Sequence, residues 1–164
     1  MDLIPRIPWH DTVREAGRQH PARGVLVAPG RPCAVFVTVA SKDRVQWMAN
    51  AEVHEALVGI WSRQALAWQV GDYLLMPDHL HLVCAPADLG CGIERWIQYW
   101  KSLFTRRHAI GSGRFQRDAF HHRLRNQQAY DETWHYVREN PIRRGLVQNA
   151  DDWPFRGRIF PVRI

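Results

Sequence analysis

Two histidines one residue apart, His79 and His81 in the run MPDHLHLV, and a tyrosine four residues before an asparagine, Tyr136 and Asn140 in YVRENP, are the residue sets able to carry chemistry. In an extended strand alternate side chains share a face, so His79 and His81 point one way and Leu80 and Leu82 the other. Two imidazoles on a rigid strand make a two-point anchor for Mg, Mn, Zn or a similar divalent ion, provided that a third ligand arrives from elsewhere. The same HLH also reads as a half-buried strand whose polar side faces solvent. On a helix, residues four apart lie one turn above each other, so Tyr136 and Asn140 share a face. Tyr130, Trp134 and Val137 form the apolar stripe of that helix, which leaves Tyr136 on the flank with a hydroxyl that packing does not need. A helical phenol can attack phosphorus where a metal polarises the phosphate, and an amide oxygen such as that of Asn140 can complete the metal shell. Taken singly, Tyr136 also reads as an exposed tyrosine and Asn140 as a helix-ending residue.

The elements that must position these residues are legible in outline. Cys33 to Val39 is short, apolar and β-branched, a buried strand. Asn50 is a plausible N-cap, and Val53, Leu57, Ile60 and Trp61 recur at helical spacing to about Trp68. Residues 72 to 76 and 79 to 84 form a hairpin around the turn dipeptide Pro77-Asp78. From Gly92 to about His108, Ile93, Trp96, Ile97, Trp100 and Phe104 line one side of a helix, opposite Arg95, Lys101, Thr105 and Arg106. Gly111-Ser112-Gly113 breaks that helix, and Arg114 to Leu124 reads as a fourth strand. A last helix from about Gln127 to Glu139 ends near Asn140, because Pro141 disfavours helical backbone in the residue before it. The order is that of an α+β, ferredoxin-like βαββαβ sandwich with an antiparallel sheet, plus an extra C-terminal helix carrying the tyrosine. The domain spans 31–150, between an irregular N-terminal extension over 1–30 and a tail over 151–164, in which Trp153, Pro154 and Phe155 are placed to dock.

With 164 residues, 46% hydrophobic and 23% charged, the composition fits one globular domain and excludes disordered, collagenous and coiled-coil classes. No apolar run is long enough to span a membrane, and the start lacks a signal-peptide pattern, so a cytoplasmic protein is expected. Cys33, Cys84 and Cys91 form no CxxC pair, which fits a reducing compartment. The net charge of +6 is uneven: residues 1–90 hold 8 Lys and Arg against 9 Asp and Glu, residues 91–164 hold 14 against 7. Only Lys42 and Lys101 are lysines, and arginine forks suit phosphate oxygens and stack on bases. A polyanion is the natural partner of the second half; a solvated basic surface is the alternative.

Four motifs in order, MPDHLHLV (76 to 83), WKSLFTRR (100 to 107), FQRDAFHHRLR (115 to 125) and YVRENPIRRGLV (136 to 147), are followed by DWPF (152 to 155). With these the chain resembles the REP-associated tyrosine transposases, a branch of the single-tyrosine HUH transposases, over about residues 31 to 156. The resemblance implies a divalent metal, Mg or Mn, and single-stranded or hairpin DNA as substrate, nicked and rejoined through a 5′-phosphotyrosine. By position it implies His79 and His81 as metal ligands, Tyr136 as nucleophile, and Asn140 where related transposases have a Gln one turn after their tyrosine. Lys101, Arg106, Arg107, Arg114, Arg117, Arg123, Arg125, Arg143 and Arg144 are the expected DNA contacts. The chain departs from the usual pattern at Asp78 (usually Asn), Phe115 (often Trp) and His121 (commonly Asp), and the His121-His122 pair offers a spare base or ligand or else a polar strand face. The resemblance leans toward a monomer, with a dimer as the other possibility. The alternatives are a catalytically silent protein that binds structured nucleic acid, and a metal-dependent hydrolase, for which no acidic cluster or HExxH motif is present.

Overall fold

The computed structural model describes residues 32–108 and 113–164. The expected lead-in over 1–30 and the break at Gly111-Ser112 lie outside the described residues. In chain order the elements are β1 (Ala34–Ala40), α1 (Ala51–Arg63), β2 (Trp68–Leu75), β3 (His79–Pro86), α2 (Ile93–Arg107), β4 (Phe120–Leu124), α3 (Gln127–Arg138), α4 (Asn140–Arg143) and β5 (Arg156–Arg158).

The described strands form one antiparallel sheet in the order β4-β1-β3-β2-β5. Its first four members are two interlocked split βαβ units: β3 inserts between β1 and β2, and β1 between β3 and β4. This is the expected ferredoxin-like α+β fold, with β5 added outside β2. One sheet face carries Val35, Val37, Val39, Leu80, Leu82 and Cys84, buried under Val53, Leu57, Ile60 and Trp61 of α1 and Ile93, Trp96, Ile97, Trp100 and Phe104 of α2. The other face carries Ala34, Phe36, Leu74, Met76, Val83 and Leu124, covered by Val137 of α3 and by Trp153.

This two-sided burial sets the register of β3. A slip of one residue would drive His79 and His81 into the apolar layer under α1 and α2 and expel Leu80 and Leu82 from it. Burying each such leucine contributes about 1.5–3 kcal/mol, so the pattern holds the imidazoles on the face covered by α3. The 76–79 turn closes the hairpin through the Met76 amide, which donates to the His79 carbonyl at 2.7 Å.

The first strand of the hairpin starts at Trp68 rather than Asp72, the second runs on to Pro86, and the tail supplies β5; three further boundaries also differ from the sequence reading. The first helix stops at Arg63 rather than near Trp68, which is already a β2 residue: Trp68 and Val70 are buried by strand alternation, which mimics a helical pattern over so short a run. The fourth strand begins at Phe120, not Arg114. Residues 114–116 touch β1 only through a bridge between Ser41 and Phe115 and neighbouring backbone bonds, after which the carbonyls of Gln116 and Arg117 turn to side chains of α2. Beyond Glu139 the chain resumes helical structure as α4 with Pro141 in its first turn, where an amide hydrogen has no helical partner to lose. Gly145, at φ 67°, follows that short helix in the left-handed conformation that glycine adopts freely.

Asn50 and Asn126 cap α1 and α3, their side chains accepting from the amides of Val53 (3.0 Å) and Ala129 (2.8 Å). The C-terminal residues lie along β2: the Leu75 amide donates to the Phe155 carbonyl and the Trp153 indole to the Leu75 carbonyl, each at 2.8 Å. Trp153 is buried, Phe155 half-buried and Pro154 exposed. Arg158 of β5 forks onto Asp72 at 2.7 and 2.8 Å, and Tyr130 of α3 also donates to Asp72. The three cysteines are free thiols, and burial raises those of Cys33 and Cys84 above the usual thiol range.

Candidate active site

His79 and His81 are both buried, and their rings meet edge to face with centroids 4.8 Å apart. Each ring is fixed through its Nδ1. His79 Nδ1 donates to Asp78 Oδ1 at 2.7 Å, and His81 Nδ1 lies 2.8 Å from Thr38 Oγ1, its cross-strand neighbour on β1. Phe36 stacks on His81 with centroids 5.4 Å apart and planes 19° off parallel. Imidazoles held in this way through Nδ1 present Nε2 as the donor nitrogen, the arrangement that metal-binding histidines use.

The third group comes from the start of α4. Asn140 Nδ2 lies 3.2 Å from His81 Nε2, joining residues 59 apart in the chain, and Asn140 is itself buried. Asn140 Oδ1 accepts from Arg143 Nη2 at 2.5 Å, and the same nitrogen donates to the Tyr136 carbonyl at 2.6 Å. The Arg143 guanidinium also lies over the Tyr136 ring, with Cζ 3.9 Å from its centroid. Tyr136 is half-buried on α3, one turn before Asn140.

A charged corner supports His79. Asp78 is buried, and burial pushes its carboxyl upward, but the hydrogen bond from His79 and the charges of His79, Arg44 and Arg144 outweigh that and hold it at about 2. Arg44 Nε is 3.0 Å from Asp78 Oδ2, and Arg144 Nη2 is 3.6 Å from Oδ1. Burial holds His79 below the usual imidazole range against the upward pull of Asp78, which keeps a lone pair on the ring at neutral pH.

Of the residues expected from the sequence, His79, His81 and Asn140 meet directly, Tyr136 joins them through Arg143, and Arg144 stands at the same corner. Thr38, Phe36 and Arg44 were not anticipated. Thr38 and Phe36 become visible only once β1 is paired with β3. Arg44 follows Asp43 in a short turn where both hold left-handed backbone, φ 56° and 57°, a strained conformation for residues other than glycine that sets Arg44 beside Asp78.

The expected basic track is dispersed. Lys101, read as a phosphate contact, is only 6% exposed, and its Nζ donates to the carbonyls of Gln116 (2.6 Å) and Arg117 (2.8 Å); it is a structural tie. Arg106 and Arg107 lie at the end of α2 on the far side of the sheet, where Arg107 donates to Gln64. Arg123 is on β4 opposite Val35, with Nη2 donating to the Pro32 carbonyl at 3.3 Å. Arg114, Arg117 and Arg125 are exposed. His121 and His122 do not act as a pair, because strand alternation parts them. His122 turns to Phe36 on the side of the site, ring centroids 5.4 Å apart, while His121 lies 3.5 Å from Glu94 of α2.

Among the described residues no three His, Cys, Asp or Glu side chains form a metal cluster. The donor set here is instead two imidazoles and a carboxamide, with the nearest carboxylate engaged by His79. Two imidazole Nε2 donors can hold a divalent ion, and Asn140 can join them through Oδ1 once its carboxamide turns, because here its nitrogen faces His81 and its oxygen accepts from Arg143.

The chain thus combines an antiparallel ferredoxin-like sheet with a buried histidine pair near the end of a tyrosine-bearing helix. No protein-family model matches the chain. It is 26% identical over 127 residues to the REP-associated tyrosine transposase of Escherichia coli (strain K12), covering 73% of each chain. A Haemophilus influenzae relative described in the same terms is 27% identical over 94 residues, covering 49% of this chain and 53% of that one. In fold, the chain matches a REP-associated tyrosine transposase solved bound to a REP hairpin, with a TM-score of 0.63 at 19% identity over 87% of this chain and 81% of the other. In sequence and in fold the chain is similar to the REP-associated tyrosine transposases.

Proposed function

We propose that this chain nicks single-stranded DNA beside a hairpin and transfers the strand through a 5′-phosphotyrosine. The observation that carries this reading is the approach of Asn140 to His81, which brings the end of the tyrosine helix to the histidine pair. The hairpin held by the structural relative supports hairpin DNA as the substrate class. Among the described residues no helix is long and apolar enough to cross a membrane.

His79, His81 and Asn140 would hold Mg or Mn, which when bound supplies Lewis-acid polarisation of the scissile phosphate. Asp78 and Thr38 hold the two rings through Nδ1, which leaves the Nε2 atoms as the nitrogens that would bind the metal. The Tyr136 oxygen forms a bond to phosphorus as the bond to the 3′-oxygen breaks. The phenol gives up its proton, the 3′-oxygen takes one up, and the 5′ end stays on Tyr136. Because the ester to Tyr136 retains the phosphodiester energy, a second 3′-hydroxyl can reverse the step on another strand without ATP. Arg144 and Arg44, half-exposed beside Asp78, would draw the DNA backbone toward this corner.

The test uses hairpin oligonucleotides with a single-stranded flank, labelled at the 3′ end and incubated with Mn or Mg, followed by denaturing electrophoresis. The wild type is expected to give a protein band shifted by attached DNA, and Tyr136→Phe none. Equal cleavage in Tyr136→Phe, cleavage without a covalent band, or hairpin binding with no cleavage by the wild type would each overturn the reading, the second in favour of water as nucleophile and the third in favour of a silent binding protein.

A further inference from the structure

Arg143 belongs, on its sequence context, with the basic residues that would follow a phosphate backbone. Although the side chain is exposed, its guanidinium is engaged by groups of the chain itself. The plane covers the Tyr136 ring at 3.9 Å, and Nη2 donates both to the Tyr136 carbonyl and to Asn140 Oδ1. Each contact has a separate physical effect. The Tyr136 carbonyl lies in the last turn of α3, where main-chain acceptors lose their helical partners, and an arginine following such a turn can supply a donor. A cation over an aromatic face restricts where that ring can swing. The bond to Oδ1 holds the Asn140 carboxamide beside His81, its nitrogen 3.2 Å from Nε2; when a cation is held, Oδ1 would turn to it while the guanidinium keeps its contacts with the Tyr136 ring and carbonyl.

We infer that Arg143 is a positioning residue that ties the tyrosine to the asparagine, holding the phenol-bearing turn and the carboxamide in one spacing across the junction of α3 and α4. It spans that junction where it is weakest: α3 ends at Arg138, α4 is only four residues long, and Glu139 links them. Without Arg143, rotation about the Tyr136 and Asn140 side chains and flexing at Glu139 would each displace one reactive group from the other. This assignment rests on the proposed strand-transfer reading and adds a residue to it whose role is neither nucleophile, ligand nor DNA contact.

The two roles open to Arg143 separate in one experiment. Wild type, Arg143→Ala and Arg143→Lys are compared for hairpin affinity across a salt series and for the single-turnover rate of covalent adduct formation at saturating DNA. A positioning residue acts on the rate: Arg143→Ala is expected to slow adduct formation by about 100-fold, the order of loss that a displacement of about 1 Å produces. Affinity should stay within about twofold with an unchanged salt dependence. Arg143→Lys keeps a cation near the ring but lacks the planar fork, and its rate should fall between the two. It carries the same comparison if Arg143→Ala does not fold. The assignment is overturned if loss of Arg143 lowers affinity and makes the slope of log K against log salt shallower by about one while the saturated rate is unchanged, which marks a phosphate contact. A wild type that forms adduct, with Arg143→Ala and Arg143→Lys matching it in rate, overturns this assignment alone. A wild type that forms no adduct overturns the functional reading and this assignment with it.

Discussion

Asp78 is buried yet ionised because its charge is surrounded: His79 donates to one oxygen, Arg44 reaches the other, and Arg144 approaches from α4. Its carboxylate therefore serves two ends, orienting the His79 ring and drawing two distant chain segments to one corner. An amide oxygen in place of the carboxylate can still accept from His79 Nδ1. Asp78→Asn is accordingly expected to keep most of the Mn(II) affinity, whereas Asp78→Ala, which leaves the ring without its orienting acceptor, should weaken it by about 10–100-fold; Mn(II) titrations of the three proteins check this. At this scale the alternation in HLHLV was enough to set two imidazoles side by side, whereas Tyr136 and Asn140, four apart, fall on consecutive helices and are linked through Arg143. Thr38 and Arg44 were not legible, because both act across long sequence separations: one through strand pairing, the other through a left-handed turn that its residue types do not announce.

Lys101 shows why helical periodicity misleads at the scale of elements. A helical wheel sets it opposite the apolar stripe of α2 and exposes it. What the wheel omits is the 116–117 segment that folds over that side of the helix and presents two carbonyls to the ammonium. Those bonds also explain why the fourth strand starts at Phe120, since the preceding carbonyls face α2 instead of the sheet. Burial lowers the Lys101 ammonium to about 8 from its ordinary 10.5. Between these values the unfolded chain binds more protons than the folded one, so this residue makes stability rise with pH there and has no such effect below about pH 8. Lys101→Met should be less stable than the wild type at pH 7 by about 1 kcal/mol, through loss of the two carbonyl bonds. The deficit should widen between about pH 8 and 10.5, as the wild type sheds its buried charge. Thermal melts at pH 7 and pH 10 measure both effects, and a deficit that narrows with pH would contradict the sign.

At the scale of the whole molecule, the sheet separates two tasks. One face is closed by α1 and α2 around a tryptophan-rich core, while the other receives the α3–α4 junction and carries the proposed site. The order of strands and helices was readable because each apolar run has the period of its element and the hairpin turn is marked by Pro77-Asp78. The fifth strand was not: Arg156-Gly157-Arg158 has no apolar alternation, and it joins the edge through backbone pairing and the Asp72 ion pair. Net charge of +6 pointed to a polyanion, but the scatter of the described arginines, with Arg106 and Arg107 at the end of α2 and Arg143 and Arg144 by the helix junction, could not be read from the chain. The account rests on β3 meeting the helix junction, where Asn140 reaches His81 and a cation is proposed to be held. Mn(II) titration followed by electron paramagnetic resonance, on wild type, His81→Ala and Asn140→Ala proteins with matching circular dichroism spectra, tests that meeting most directly. Wild type is expected to bind one Mn(II), and both variants to bind it at least about tenfold more weakly. Wild-type affinity in Asn140→Ala beside a loss in His81→Ala would place the helix junction outside the centre and contradict the claim.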